Sequence, residues 1–345
     1  MKDHPILKAA RGEKTDYTPV WIMRQAGRYS AKYREIRAKA GSFMDLCRNP
    51  ELAAEVTLLP IEEIGVDAAI LFSDIFVPVE KMGINIEFVS GKGPVLSPVV
   101  RTVEDVKNLS IPVPEDDLSY VLETIKIIKD RLTDRPLIGF SGAPFTLASY
   151  ILEGGTTKDY RAAKTTMWNN SELWQALMDK LTVVVTEYLS SQIKAGVDLV
   201  QIFDSWMGVL SAEDYEKYVF PHTKKIVDIL KERHPDTPII HFGVNSSHLI
   251  EINNLLDVDV IGLDWRTEIP FALGRTDKSI QGNLDPVALF ADEKVIEEKV
   301  RKIVIEGLRA RGHIFNLGHG ILPQTDPKKA KFLVETVHRI SREVR

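Results

Sequence analysis

The sequence predicts an α/β fold: a (β/α)8 TIM barrel, with a hairpin inserted after the second strand and the chain, residues 1–345, forming one domain. Three observations carry this expectation. Eight short runs that read as buried strands alternate with long amphipathic stretches. Most of the runs are apolar on both parities, as in Ala68-Ala69-Ile70-Leu71-Phe72, which a parallel sheet covered on both faces requires. No G-x-G-x-x-G follows any of them, which removes the main doubly wound competitor.

Taken in order, the expected strands cover residues 18–23, 67–73, 136–142, 198–204, 238–243, 258–264, 279–284 and 312–317. A helix over 50–63 opens at Asn49-Pro50, a capping residue followed by proline at the first helical position. Further helical patterns cover 117–131, 171–195, 211–231, 246–255, 293–311 and 327–342, several of them opening at Ser, Asp or Asn. Residues 84–100 break the rhythm: two β-rich runs flank Gly91-Lys92-Gly93, the pattern of a hairpin. This is no phosphate loop, because position 86 is Ile where the first glycine belongs and neither Ser nor Thr follows the lysine.

Composition bounds the function. Charged residues make up 27% of the chain and the net charge is −5, so nucleic acid is not the expected partner. No apolar run approaches the ~18 residues of a membrane span, and the N-terminus lacks the apolar core of a signal peptide. One cysteine, Cys47, excludes an internal disulfide and any zinc site built on two thiolates of one chain. That usage suits a reducing cytoplasm. No metal site is expected.

In a barrel, the chemistry sits where strands end and βα loops begin. Those positions hold Arg24, Asp74, Ser141-Gly142-Ala143-Pro144, Asp204-Ser205, His241, Asp264, Asn283 and Gly318-His319-Gly320. The densest signal is Met23-Arg24-Gln25-Ala26-Gly27-Arg28-Tyr29. Read as a first helical turn, it places Arg24 and Arg28 on one face, where like charges repel unless an anion lies between them. From Arg24 to Lys39 there are six basic residues against one acid, a local reversal of the chain's net charge.

Residues 19–29 and 139–150 together resemble the two signature motifs of the uroporphyrinogen decarboxylase family. Phe72-Ser73-Asp74-Ile75, Phe203-Asp204-Ser205-Trp206 and Asn316-Leu317-Gly318-His319-Gly320 match further family landmarks in order, so the resemblance spans residues 4–342. It implies a cytoplasmic, homodimeric barrel that needs no cofactor. It also implies removal of CO2 from the four acetate arms of uroporphyrinogen, giving coproporphyrinogen for haem synthesis. Carried over residue by residue, substrate contacts fall on Arg24, Gln25, Ala26, Gly27, Arg28, Phe43, Asp74, Tyr150, Ser205 and His319, and catalytic roles on Asp74, Arg24, Arg28, Tyr150 and His319.

The chemistry agrees with these residue types. Loss of CO2 leaves an electron pair on a methylene, and a pyrrole protonated beside the arm accepts it at the cost of positive charge on the ring nitrogens. A carboxylate against those N–H groups stabilises that charge as it develops. Asp74 is the candidate, with Arg24 and Arg28 as bidentate partners for substrate carboxylates. The proton donor is open between Arg24 and His319, whose ordinary pKa is about 6.5. Two other readings compete. Methyltransferases of the same barrel superfamily bind zinc through a His-x-Cys pair after the fifth strand, where this chain has His241-Phe242-Gly243. A non-enzymatic tetrapyrrole carrier needs the arginines but not Asp74.

Overall fold

The computed structural model of the chain describes residues 1–89 and 91–345. Ser90, inside the expected hairpin, lies outside them. Strand β1 (Ala69–Ile70) is followed by the antiparallel pair β2 (Asn85–Val89) and β3 (Gly93–Ser97). The parallel strands β4 (Leu137–Gly142), β5 (Leu199–Asp204), β6 (Ile239–Gly243), β7 (Val260–Gly262), β8 (Ser279–Gln281) and β9 (His313–Ile314) come next. The parallel sheet runs β1-β4-β5-β6-β7-β8-β9, each strand beside its successor, as the alternation of strand and helix predicts.

The segment around Val20 closes this sheet into a barrel. On one side the Trp21 N–H donates to the Phe315 carbonyl at 3.3 Å and the Phe315 N–H to the Pro19 carbonyl at 2.8 Å. On the other, the Asp67 N–H donates to the Val20 carbonyl at 2.8 Å. The expected first strand is therefore present, reduced to a single ladder position. The second is also shorter than its apolar run, since only two residues keep regular pairing there.

Inside the barrel, Trp21, Ile70, Ile138, Leu199, Val260 and Ile314 form one apolar cluster, and a larger one fills the space between sheet and helices. A polar thread crosses the interior. Trp21 Nε1 donates to Gln281 Oε1 and Gln281 Nε2 to Gln201 Oε1, both at 2.9 Å. A buried polar atom left without such a partner costs about 1–3 kcal/mol.

The helices follow the sequence signals with three instructive departures. Asn49 caps Pro50–Ile64 through the Leu52 N–H, and Asn170 caps Ser171–Ala195 through Leu173, as their positions suggest. The expected helix over 211–231 is two, Ala212–Tyr218 and Phe220–Arg233, because Pro221 cannot supply the N–H that a continuous helix needs. The 246–255 pattern forms only a 3-10 turn and the short helix Ile250–Asn253. Residues 293–311 stay helical only to Gly307.

At the N-terminal ends of the strands, Asp67 gathers three donors. Its Oδ1 accepts from the Tyr17 hydroxyl at 2.9 Å; its Oδ2 accepts from the Val20 N–H at 2.8 Å and meets His338 Nε2 at 2.7 Å. This knot ties the closing segment and the C-terminal helix Pro327–Glu343 to β1.

Candidate active site

A cavity of about 860 Å³ opens at the C-terminal ends of the strands. Its floor is the top layer of the barrel interior, where Phe140, Phe203 and Phe242 meet edge to face with centroids 5.5 and 5.9 Å apart. One wall is also aromatic: Phe43 packs on Phe72 at 5.6 Å and on Phe88 of β2 at 5.2 Å. Such a site combines an apolar floor and wall with charged side chains, among them Arg24, Arg28 and Arg37.

Arg24 and Arg28 both line the cavity, but not as a helical pair. Residues 24–29 form turns, and the next helix, Ala31–Lys39, starts only after the Ser30 cap. Arg24 sits at φ 62°, a left-handed conformation that costs a non-glycine residue on the order of 1 kcal/mol. The turn is held from below. The Gln25 N–H donates to the Ile22 carbonyl at 2.9 Å, and the Met23 N–H to Asn316 Oδ1 at 3.0 Å. The Arg24 stem then lies across Gly320, where a Cβ would come within 2.4 Å of the Arg24 Cδ. Two strand ends thereby meet: the arginine from the first and the Gly318-His319-Gly320 loop from the last.

Asp74 lines the cavity four residues beyond β1. Its Oδ1 accepts the Phe76 N–H at 3.0 Å. It is nevertheless not the N-cap of the following helix, Val77–Lys81, which Phe76 opens without side-chain capping. One oxygen is committed and acceptor capacity is left for a ligand. Burial among aromatic side chains pushes the Asp74 carboxyl up to about 6, with the Phe76 N–H and the Arg24 charge pulling the other way. At neutral pH it remains largely ionised.

Tyr150, Ser205, His319, Phe43, Ala26 and Gly27 also line the cavity. Tyr150 stands edge-on to Phe76, with centroids 4.7 Å apart, and burial, then the Asp74 charge, drives its phenol well above the ordinary range. It is a neutral donor. His319 faces the edge of Trp265 at 6.3 Å. Burial first and the Arg24 charge second lower its imidazole to about 4, against a smaller opposing pull from Asp264. The ring is neutral at pH 7, so its ordinary pKa misleads about its role as an acid.

The remaining strand-end residues are structural. Gln25 does not line the cavity: its side chain accepts from the Ile22 N–H at 3.0 Å and donates to the Ala68 carbonyl at 2.9 Å, which holds it under the turn. Asp264 caps its own loop through the N–H groups of Asn245 and Arg266 and the Thr267 hydroxyl. Asn283 ties that loop down by donating to the Asp264 and Thr267 carbonyls. His241 points away from the cavity, into the layer between sheet and helices. In contrast, Arg37 and Phe88 do line the cavity and do not fall at strand ends. Arg37, stacked 6.0 Å over Phe43, was visible only as one charge in a basic run.

With this geometry in place, comparison with known proteins is informative. The model of the family described as uroporphyrinogen decarboxylase (URO-D) matches residues 1–340. A uroporphyrinogen decarboxylase of Carboxydothermus hydrogenoformans is 53% identical over 97% of this chain and 96% of its own. One of Geobacter metallireducens is 50% identical over 98% and 99%. Among solved structures, a methyltransferase from Methanosarcina mazei superposes with a TM-score of 0.78 over 97% of both chains at 20% identity, a likeness of fold alone.

Proposed function

The chain belongs to the uroporphyrinogen decarboxylase family, and on that premise we propose that Asp74, set in an apolar cavity rimmed by arginines, is the electrostatic centre of its reaction. The enzyme converts the four acetate arms of uroporphyrinogen III to methyl groups, giving coproporphyrinogen III and four CO2. In each round a proton adds to the pyrrole carbon beside one arm, and the ring nitrogen takes the positive charge. The arm's C–CO2 bond then breaks and its electron pair neutralises the ring. The exocyclic methylene left behind takes a proton to become the methyl group, and the proton on the ring carbon departs, which restores the pyrrole. Each round thus consumes one proton and releases one CO2.

Asp74 serves the middle of this sequence. Its carboxylate is held close to where the ring N–H groups become cationic, in surroundings that strengthen the attraction. Arg24 and Arg28 take substrate carboxylates at the rim, with Tyr150, Ser205 and neutral His319 as hydrogen-bonding partners and Phe43, Ala26 and Gly27 as contact surface. Of the two candidate proton donors, His319 is neutral in the free enzyme and lacks the imidazolium proton that an acid near pH 7 would give up. That favours Arg24. The Gln25 side chain supports the turn and does not touch the ligand.

No metal or cofactor is needed for these steps. The zinc methyltransferase alternative is disfavoured at its own position, where Gly243 stands in place of the thiolate. The proposed setting is a cytoplasmic homodimer of single-domain subunits. Sedimentation of the purified chain measures the dimer.

Anaerobic incubation with uroporphyrinogen III, with and without exhaustive chelation, tests the reading. Coproporphyrinogen III appears in both cases. Binding without turnover would favour a carrier, and activity lost to chelation but restored by zinc would overturn the cofactor-free scheme.

A further inference from the structure

One buried acid has no task in this scheme. Asp204 ends β5, fully buried, and is not among the residues that line the cavity, although Phe203 and Ser205 on either side of it are. An ionisable group in such a place is costly unless its partners compensate it. Its Oδ2 has no hydrogen-bond partner among the described residues. The nearest cation candidate, His241 Nε2, is 3.9 Å away, beyond hydrogen-bond length. The carboxylate makes one hydrogen bond, from the Thr146 hydroxyl to Oδ1 at 2.9 Å.

That single bond does specific work. Thr146 also accepts the Trp206 N–H at 3.3 Å, so one hydroxyl bridges the first and third residues of the Asp204-Ser205-Trp206 turn. A carboxylate only accepts, which directs the Thr146 proton one way and leaves a lone pair for the Trp206 amide. Thr146 and Tyr150 are four apart on the helix Pro144–Glu153 and share one face. Tyr150 stacks on the Trp206 indole, with centroids 3.8 Å apart and planes 28° from parallel. Tyr160 meets the same indole edge to face, with centroids 4.9 Å apart. The turn is therefore clipped to the helix twice, by the hydroxyl and by the ring stack, and Ser205 lies between the clips.

We propose that Asp204 and Thr146 are positioning residues, whose buried hydrogen bond registers the Ser205–Trp206 turn against the Pro144–Glu153 helix and fixes the Ser205 hydroxyl relative to the Tyr150 phenol. The inference rests on the decarboxylase reading, in which Ser205 and Tyr150 face the substrate together. It explains why an under-partnered acid is kept there: its bond sets the spacing of two groups that do touch the ligand.

Three variants test it: Thr146→Val, close in shape but without the hydroxyl; Thr146→Ser, which keeps it; and Asp204→Asn, whose amide can donate and so reverse the bond. Anaerobic kcat and KM are measured together with the unfolding midpoint and the near-ultraviolet circular dichroism of the Tyr150–Trp206 stack. Thr146→Val is expected to lose roughly 10²-fold in kcat with KM changed by less than about threefold, the signature of misplacement rather than lost binding. Its midpoint stays near that of the wild type while the stack signal weakens. Thr146→Ser restores both kcat and the signal, and Asp204→Asn behaves like Thr146→Val. If Thr146→Val does not fold, the Ser and Asn variants decide. Unchanged kcat in the variants lacking the bond, or a Ser variant as impaired as Val, overturns the proposal. An inactive wild type points instead to failure of the decarboxylase reading, and the dichroism still reports whether the clip exists.

Discussion

Two carboxylates at opposite ends of the barrel follow opposite rules. Asp67, at the N-terminal ends of the strands, is buried and uses both oxygens on three partners. Asp74, at the other end, has one backbone bond and aromatic neighbours, and its affinity for a proton is raised. The first arrangement is what stability asks of a buried acid. The second commits one oxygen to a backbone N–H and keeps the rest of its acceptor capacity, and its charge, for a ligand. The two ends of a barrel are commonly divided in this way between stability and chemistry, and here one residue type displays the division.

The largest effect that can break this contrast is on rate. Asp74→Asn removes the charge but keeps a carbonyl acceptor, and kcat should fall by ~10²–10³, about 3–4 kcal/mol. Near-normal turnover would remove Asp74 from the mechanism. Asp67→Ala should do the reverse, lowering stability by about 3 kcal/mol in denaturant unfolding while leaving kcat per folded molecule unchanged. A stable Asp67→Ala protein would mean the knot is incidental.

Acidity sharpens the contrast next. With Asp74 at about 6, kcat/KM in the free enzyme should decline about tenfold per pH unit below that value. Stability runs the other way. A carboxyl whose pKa is raised by folding binds more protons native than unfolded, so its penalty is complete above about 6 and disappears as pH falls toward the ordinary value near 3.8. Asp74→Asn should therefore be more stable than the wild type at pH 7, by about 1–2 kcal/mol after allowance for solvent screening, and equal to it near pH 4.

Smaller effects follow at the rim. Arg28→Ala should raise KM about tenfold at low salt and flatten its rise with ionic strength, because exposed charges are screened beyond ~8 Å at physiological salt. A flat wild-type KM would reduce the basic run to a solvated face. The mildest expectation concerns His319, whose ring C–H resonances should show a midpoint near 4 rather than near neutrality.

Much of this was legible in the sequence. Apolar runs on both parities pointed to the barrel, and Arg24, Asp74 and His319 fell where strand ends were expected. The failures have a common cause. Spacing tells which residues share a face only if the local conformation is known, and Arg24 takes a left-handed turn where a helix was expected. Gln25 accordingly bonds Ile22 and Ala68 instead of facing the cavity. Arg37 and Phe88 reach the cavity from a helix and a hairpin, which no strand-end rule selects. The neutrality of His319 depends on burial and on a guanidinium contributed by a segment some 300 residues away, and neither can be read from its neighbours.

The cavity also lacks the symmetry of its ligand. Four acetate arms are spaced around a macrocycle, whereas Arg24, Asp74 and His319 occur once each in the cavity lining. An arm can meet the same trio only after the ring has turned relative to the protein. On the proposed scheme, catalysis is thus one site used four times, with an orientational step between rounds, and partly processed rings are intermediates whose abundance reflects how fast the ring turns compared with how fast it leaves.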